Sequence, residues 1–239
     1  MQYKTMHRAV FLRRPNRFIA HCLLDGQEVV CHVKNTGRCR ELLVPGTEVW
    51  VEESDNLNRK TRYSLICVQK GDRLINMDSQ APNQAAWEAF ASGFQPDFLP
   101  GKPEQVRREV TFGNSRFDLC MTIQGKPFYL EVKGITLEEN GVVRFPDAPT
   151  QRGVKHVQEL TRMRREGMDT GIFFVVQMAD VRYFTPNRET DPDFAQALSE
   201  AQAAGVKLAA WDCQVTPTEM TLGKEVPVYL TEREKEKSL

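Results

Sequence analysis

The 239-residue chain lacks paired cysteines: six are present, at positions 22, 31, 39, 67, 120 and 213, and none forms a C-x-x-C pair. It also lacks a recognisable signal peptide, because "MQYKTMHRAVFLRRPNRF" carries charge but no long apolar segment. A disulfide framework is therefore not expected, and the thiols read as core residues. Long hydrophobic runs are missing too. The longest, Ile172 to Val176, is far too short to span a bilayer. Neither charge sign is in excess, since 32 Lys and Arg balance 32 Asp and Glu. The whole molecule is thus no electrostatic magnet for nucleic acid, and any basic surface must be local. No internal repeat, low-complexity tract, helix-turn-helix or zinc-finger pattern is visible, so base-specific recognition is not expected. These absences describe a soluble, cytoplasmic protein without a membrane partner. They leave its oligomeric state open.

What is present suffices for one large domain or two modest ones, at 41% hydrophobic and 27% charged residues. The two halves differ in texture, and we divide the chain at 1–81, 82–105 and 106–239. Residues 1–81 read as all-β, with strands at 18–24, 27–33, 47–53, 61–69 and 73–78. Asp25-Gly26 marks a hairpin between the first two, and Pro45-Gly46 marks another turn. Five short strands suggest a small closed barrel of the OB type, and an SH3-like barrel fits the same pattern. His21, Cys22, Cys31, His32 and Cys39 invite a zinc reading. Strand neighbours point to opposite faces, however, so His21 and Cys22 could not easily share a metal, nor could Cys31 and His32.

Residues 82–93 read as a helix opened by Pro82 and stopped at Gly93, followed by a Pro- and Gly-rich linker to 105. From 106 the pattern is α/β. Strands are predicted at 106–112, 115–123, 127–134, 171–178 and 206–215, and helices at 149–166 and 191–204. The run "GIFFVVQM" indicates a sheet covered on both sides. The last residues, "TEREKEKSL", read as frayed.

The stretch "RFDLCMTIQGKPFYLEVKG" (116–134) carries the chemistry. Taking Gly125-Lys126 as the turn of a hairpin places Asp118 opposite Lys133 and makes Asp118 and Glu131 diagonal neighbours. Phe117, Leu119 and Met121 then share a core face with Phe128, Leu130 and Val132. Asp118, Cys120 and Thr122 share the other with Tyr129, Glu131 and Lys133. A second turn at Gly113-Asn114 sets Glu109 directly against Asp118. Carboxylates so close repel, and a divalent cation such as Mg²⁺ or Mn²⁺ relieves the repulsion. Metal held by Glu109, Asp118 and Glu131 would polarise a phosphoryl oxygen and activate water, with Lys133 orienting that water or stabilising charge. Asp118, Glu131 and Lys133 are thus the candidate catalytic residues. D…E-x-K is by itself a common pattern, and the competing reading is a solvated sheet surface carrying a Lys–Glu pair.

The segment "FPDAPTQRGVKHVQEL" (145–160), with "EVKGITL" (131–137), "SRFDL" (115–119), "NTGR" (35–38), "RPNRF" (14–18) and Pro82-Asn83, closely resembles the sugar fermentation stimulation protein A family. The likeness extends over almost the whole chain. It implies a two-domain α+β and α/β protein, with an N-terminal OB-fold-like β-barrel and a C-terminal PD-(D/E)XK nuclease-like mixed sheet flanked by helices. It implies sequence-non-specific DNA binding and a link to sugar, especially maltose, metabolism. It places the nuclease core on Asp118, Glu131 and Lys133, with Glu109 as the extra acid. The chain departs from the family at "HVKNTGRC", where Val33 and Lys34 replace a Cys-Pro pair. That weakens a metal role for the loop but leaves Asn35, Gly37 and Arg38 in place.

Further candidates are contacts to the DNA backbone. On helix 149–166, Arg152 and His156 share a face and Lys155 lies one residue off it, while Val154, Val157 and Leu160 form the core stripe. The bland reading is a solvated face, and His156 fits either a ligand contact or a buried hydrogen-bonding role. Asn35, Gly37 and Arg38 fit a phosphate-gripping loop or an ordinary turn. Arg14 and Arg17 could extend a basic track, and Phe18, Trp50 and Tyr63 could be stacking platforms or core. Three functions compete: a Mg²⁺- or Mn²⁺-dependent nuclease, a non-catalytic DNA-binding regulator of sugar metabolism with the same fold, and a barrel-plus-platform module for RNA or protein.

Overall fold

The computed structural model describes every residue except Thr36, Leu57, Asn114, Glu232, Arg233 and 235–239. The second residue of the expected Gly113-Asn114 turn, one residue of the 35–38 loop and most of the charged tail therefore lie outside the described residues.

The first strand is β1 (Met6–Asn16), followed by β2 (Ile19–Leu24), β3 (Gln27–Val33), β4 (Glu48–Glu53), β5 (Tyr63–Lys70) and β6 (Arg73–Asn76). The order β3-β2-β1-β4-β5 closes through a parallel β3–β5 pairing, and β6 extends β5. This is the closed OB barrel. Sequence reading anticipated β2 to β6 but assigned no strand to the charged segment before them. That segment is the longest strand of the barrel. Ala9 and Phe11 alternate into the core while Arg8 and Arg13 face out, and the outward charges hid the inward period of two. Cys22 and Cys31 are buried in the barrel, whereas His21 reaches outward to the Glu28 carboxylate at 2.7 Å. The two residue types thus serve opposite faces. All six cysteines are buried and free.

Helix α1 (Ala81–Ala91) has Pro82 in its first turn and lays Ala85, Ala86 and Phe90 on a second sheet. The sheet begins with β7 (Pro103–Phe112), β8 (Ser115–Ile123) and β9 (Lys126–Ile135). Two short strands, β10 (Leu137–Glu139) and β11 (Val142–Phe145), lead to helix α2 (Gln151–Arg165). Then come β12 (Asp169–Val176), β13 (Tyr183–Pro186), helix α3 (Pro192–Ala203), β14 (Lys207–Thr216) and β15 (Glu219–Val226). The large sheet runs β15-β14-β12-β9-β8-β7, parallel at β9–β12 and β12–β14 and antiparallel elsewhere. Strands β10, β11 and β13 form a small separate sheet. They and β15 are short or polar-rich and escaped the sequence pattern.

Both faces of the large sheet are covered, α1 on one and α2 with α3 on the other. That is why β12, with the run Ile172–Val176 wholly buried, tolerates no polar alternation. Each such side chain contributes about 1.5–3 kcal/mol by leaving water. Both long helices start as their sequences predict. Thr150 accepts a hydrogen bond from the Gly153 amide at 3.0 Å, and Asp191 accepts one from the Phe194 amide at 2.9 Å. No helix among the described residues is long and apolar enough to cross a membrane.

Candidate active site

The β8–β9 hairpin turns at Gln124-Gly125, both in the left-handed region (φ +50° and +75°), and Ile123 pairs with Lys126. The expected Gly125-Lys126 turn is therefore wrong. A two-residue turn of this hand needs positive φ at both positions, and glycine belongs at the second, not the first. The register shifts by two residues. Faces are kept, but Asp118 comes level with Glu131 instead of Lys133. The β7–β8 register agrees with expectation, with Phe112 opposite Ser115 and Val110 opposite Phe117.

The strands part at this point. Pairing of β8 with β9 ends at Leu119–Leu130, while β9 stays on β12 as far as Ile135–Val176. The gap becomes a cleft of ≈ 280 Å³ whose wall includes Asp118, Glu131 and Lys133 from the sheet, Asn83 from α1, and Arg152 and His156 from α2. Alternation breaks here as well. Phe117 turns away from Leu119 and Met121 and packs on Tyr129, with ring centroids 5.7 Å apart. Next to Val110, the residue opposite Phe117, Glu109 adopts φ +52°, an uncommon conformation for a residue with a side chain.

The two central carboxylates differ in environment. Asp118 accepts from Asn83 Nδ2 at 2.7 Å and from the Val132 amide at 2.8 Å. Burial, and then the nearby Glu131 charge, raise its pKa above the ordinary aspartate value. Glu131 is only 3% exposed, and its Oε1 accepts from Lys133 Nζ at 2.6 Å and pairs with His156 Nδ1 at 2.5 Å. Burial opposes ionisation of Glu131. The hydrogen bond from His156, with the charge and hydrogen bond of Lys133, outweighs burial and lowers its pKa. A solvated surface pair, the bland alternative, does not describe a carboxylate so enclosed. Its second oxygen, Oε2, is buried and has no hydrogen-bond partner among the described residues.

Glu109 stands at the mouth of the same cleft with an exposed carboxylate 3.9 Å from Arg116. Among the described residues no three carboxylate, imidazole or thiolate groups converge as a ready-made metal cage. A buried and a half-buried carboxylate still suit Mg²⁺, which binds through one or two carboxylates and keeps several waters. The orphaned Glu131 Oε2 together with the Asp118 carboxylate is the donor set such an ion would complete.

The other candidates separate by place. Arg152 and His156 line the cleft, one turn of α2 apart, whereas Lys155 is exposed outside it. His156 is committed to Glu131 through one ring nitrogen. Arg17 and Arg38 are exposed on the barrel, and Asn35 is half-buried. Arg14 is no part of an open track, because its guanidinium donates to the carbonyls of Arg17, Asn35, Gly37 and Arg38 and so shapes the loop. Asp147 accepts from the Arg38 amide at 3.0 Å, and a Cβ on Gly37 would lie 2.4 Å from Asp147 Oδ2. Of the proposed platforms, Phe18 is exposed, and Trp50 and Tyr63 are half-buried. Sequence reasoning missed Asn83 and Asp147 as positioning groups. The only signal was a polar residue beside Pro82 at a helix start, and an aspartate in a loop before α2.

The sequence profile of the SfsA N-terminal OB domain matches residues 12–77. That of the sugar fermentation stimulation protein RE domain matches residues 80–219. The chain belongs to the SfsA family. A sugar fermentation stimulation protein homolog from Desulfitobacterium hafniense (strain Y51) is 48% identical over 232 residues, covering 97% of this chain and all of the relative. One from Clostridium tetani is 48% identical over 228 residues, 95% of this chain and 98% of its own. The structure of Pyrococcus furiosus SfsA in complex with Ca²⁺ superposes with a TM-score of 0.86 at 27% identity, covering 96% of this chain and 98% of that one. This chain thus has the SfsA architecture, an OB barrel followed by a mixed sheet with three helices among the described residues.

Proposed function

We infer that this SfsA protein binds DNA without sequence preference and hydrolyses its phosphodiester bonds with a divalent cation held by Asp118 and Glu131. The observation that carries the reading is the Glu131 carboxylate. One oxygen is fixed by Lys133 and His156 while the other is buried and unpartnered beside Asp118. A buried acceptor left bare costs about 1–3 kcal/mol, which a bound cation would recover. Ca²⁺ in the P. furiosus relative supports an oxygen-ligand site in this family, and Mg²⁺ or Mn²⁺ fits the same donors.

Such an ion would polarise a phosphoryl oxygen and lower the pKa of a water. The rest falls to the chain. Lys133 directs an ammonium at the cleft and stabilises negative charge on the phosphate in flight. Asn83 and the Val132 amide hold Asp118 in place. His156 holds Glu131, and Arg152 offers a guanidinium to an adjoining phosphate. Glu109 reaches the site from its mouth, through water rather than as a buried ligand.

The test is cutting of plasmid and labelled oligonucleotides in Mg²⁺, Mn²⁺ or EDTA. Cutting is expected with either metal only. Glu131→Gln and Lys133→Ala should each slow it by about 100-fold or more without loss of the folded state. Full activity in Glu131→Gln would reject the assignment. A second reading, DNA binding without turnover, draws on one observation: Lys133 and His156 already balance Glu131 without a cation. On that reading binding falls steeply with salt, and no metal induces cutting.

A further inference from the structure

The barrel carries a second cleft, ≈ 560 Å³, lined by Arg17, Arg38 and Arg40. All three are exposed, and none forms an ion pair with another described residue. The other two arginines there are committed elsewhere, Arg13 to Glu28 and Arg14 to the loop carbonyls. A third, smaller cleft of ≈ 180 Å³ lies between the two and runs past Asn35 and Asp147. It shares Gly37 with the arginine cleft, and Ser79, Gly134 and Phe145 with the carboxylate cleft. The three clefts therefore share walls in succession, from exposed arginines at the barrel end to Glu131 and Lys133 at the other.

Phe18 marks the far end. Its ring is 44% exposed and lies under the Arg17 guanidinium at 4.9 Å. Exposed aromatics occur singly without meaning, but this one is built. Asn16 Oδ1 accepts from the amides of Phe18 and Ile19 at 2.9 and 3.1 Å, and the Phe18 carbonyl accepts from the Val33 amide at 2.8 Å. The backbone is thus fixed while the ring is held in solvent against Arg17, which itself lines the cleft with Arg38 and Arg40. A flat ring with a guanidinium at the edge of an arginine-lined cleft suits an unpaired base.

We propose that the three clefts take a single-stranded stretch of DNA, with one base on Phe18, its phosphates on Arg17, Arg38 and Arg40, and the strand passing Asn35 and Gly37 to the carboxylates. The aromatic end decides against a duplex, because a paired base cannot lie on Phe18 without leaving its stack. The proposal rests on the DNA-binding half of the function inferred above and not on turnover.

Binding of a fluorescent 20-nucleotide oligo-dT and of a 20-base-pair duplex, both followed by anisotropy in EDTA at fixed salt, tests it. The full chain should bind the single strand more tightly. Phe18→Ala should weaken the single strand about tenfold and the duplex less than about twofold, and Phe18→Tyr should restore the single-strand value. Arg40→Ala should lower the salt slope of single-strand binding by about one phosphate. Equal loss on both DNAs, or no loss on the single strand, overturns the proposal. Because no metal is present, absence of cutting in the nuclease assay would remove catalysis and leave this result standing. Metal-dependent cutting with an inert Phe18 would remove only the strand path.

Discussion

At the residue scale the site is a contrast between two acids of nearly the same chemistry. Asp118 and Glu131 stand level on adjacent strands, yet one is pushed toward its neutral form and the other held ionised. The contrast follows from partners: Glu131 has a cation and an imidazole, Asp118 only amides. The raised Asp118 pKa means that in the metal-free folded state the carboxyl gives up its proton at a higher pH than in the unfolded chain, where the ordinary value is 3.8. That contribution is complete below 3.8 and is lost as pH rises through the folded value. Asp118→Asn removes the loss, since Asn83 can flip its amide to accommodate the change. In EDTA the variant should therefore gain stability over the natural protein as pH rises from about 4 to 7, read by urea unfolding. In a calorimetric Mn²⁺ titration it should lose the binding heat. Equal titration curves for the two proteins would mean Asp118 is not a ligand. The residue types were legible in the sequence. Their opposed ionisation was not, because it depends on which donors burial brings within hydrogen-bond reach.

At the scale of elements the decisive feature is the parting of β8 and β9. The hairpin itself was readable from alternating apolar residues. Its turn was misplaced because glycine's place within the turn, not its mere presence, sets the register. Gly134, next to Lys133, shows how tightly the parted strand is held. A Cβ there would lie 2.6 Å from both Gln177 Oε1 and Pro82 Cγ. Gln177 cannot yield, since its Nε2 donates to the carbonyls of Asn76 and Asp78 at 2.9 and 3.1 Å. Gly134→Ala should cost about 1–3 kcal/mol in urea unfolding and slow metal-dependent cutting by displacing Lys133. A variant of normal stability would show that the neighbours do give way. Helices α2 and α3 lie within two residues of the expected 149–166 and 191–204, and each opens on an N-cap, a local device that needs no distant partner.

On the scale of the whole molecule, polar contacts join the barrel to the small β10-β11-β13 sheet. Glu138 of β10 is 4% exposed and takes Lys70 Nζ at 2.8 Å and Arg73 Nη1 at 3.1 Å from the barrel. Burial works against its ionised form, but the Lys70 hydrogen bond, the Gly141 amide and the two cations lower its pKa below 4.5. The stability so gained is present above 4.5 and disappears as pH falls through the lower folded value. Glu138→Gln should cost about 3 kcal/mol at pH 7 and flatten the acid limb of the stability profile. An unchanged acid limb would mean that the pair adds nothing to the joint. The joint also fixes the arginine cleft relative to the carboxylates, on which the proposed strand path depends.

By itself the sequence determined the order of most elements, the two-part plan, the inward and outward faces of most strands and which acids and lysine are candidates for the chemistry. These follow from residue type and short-range spacing, which act within a turn or a hairpin. Only the tertiary structure decided that β1 closes the barrel, that Glu109 stays at the rim, that Glu131 keeps one oxygen bare among the described residues, and that Gly37 packs against Asp147. Each of these depends on contacts between residues far apart in the chain, made once burial excludes water and leaves polar groups only the partners that packing supplies.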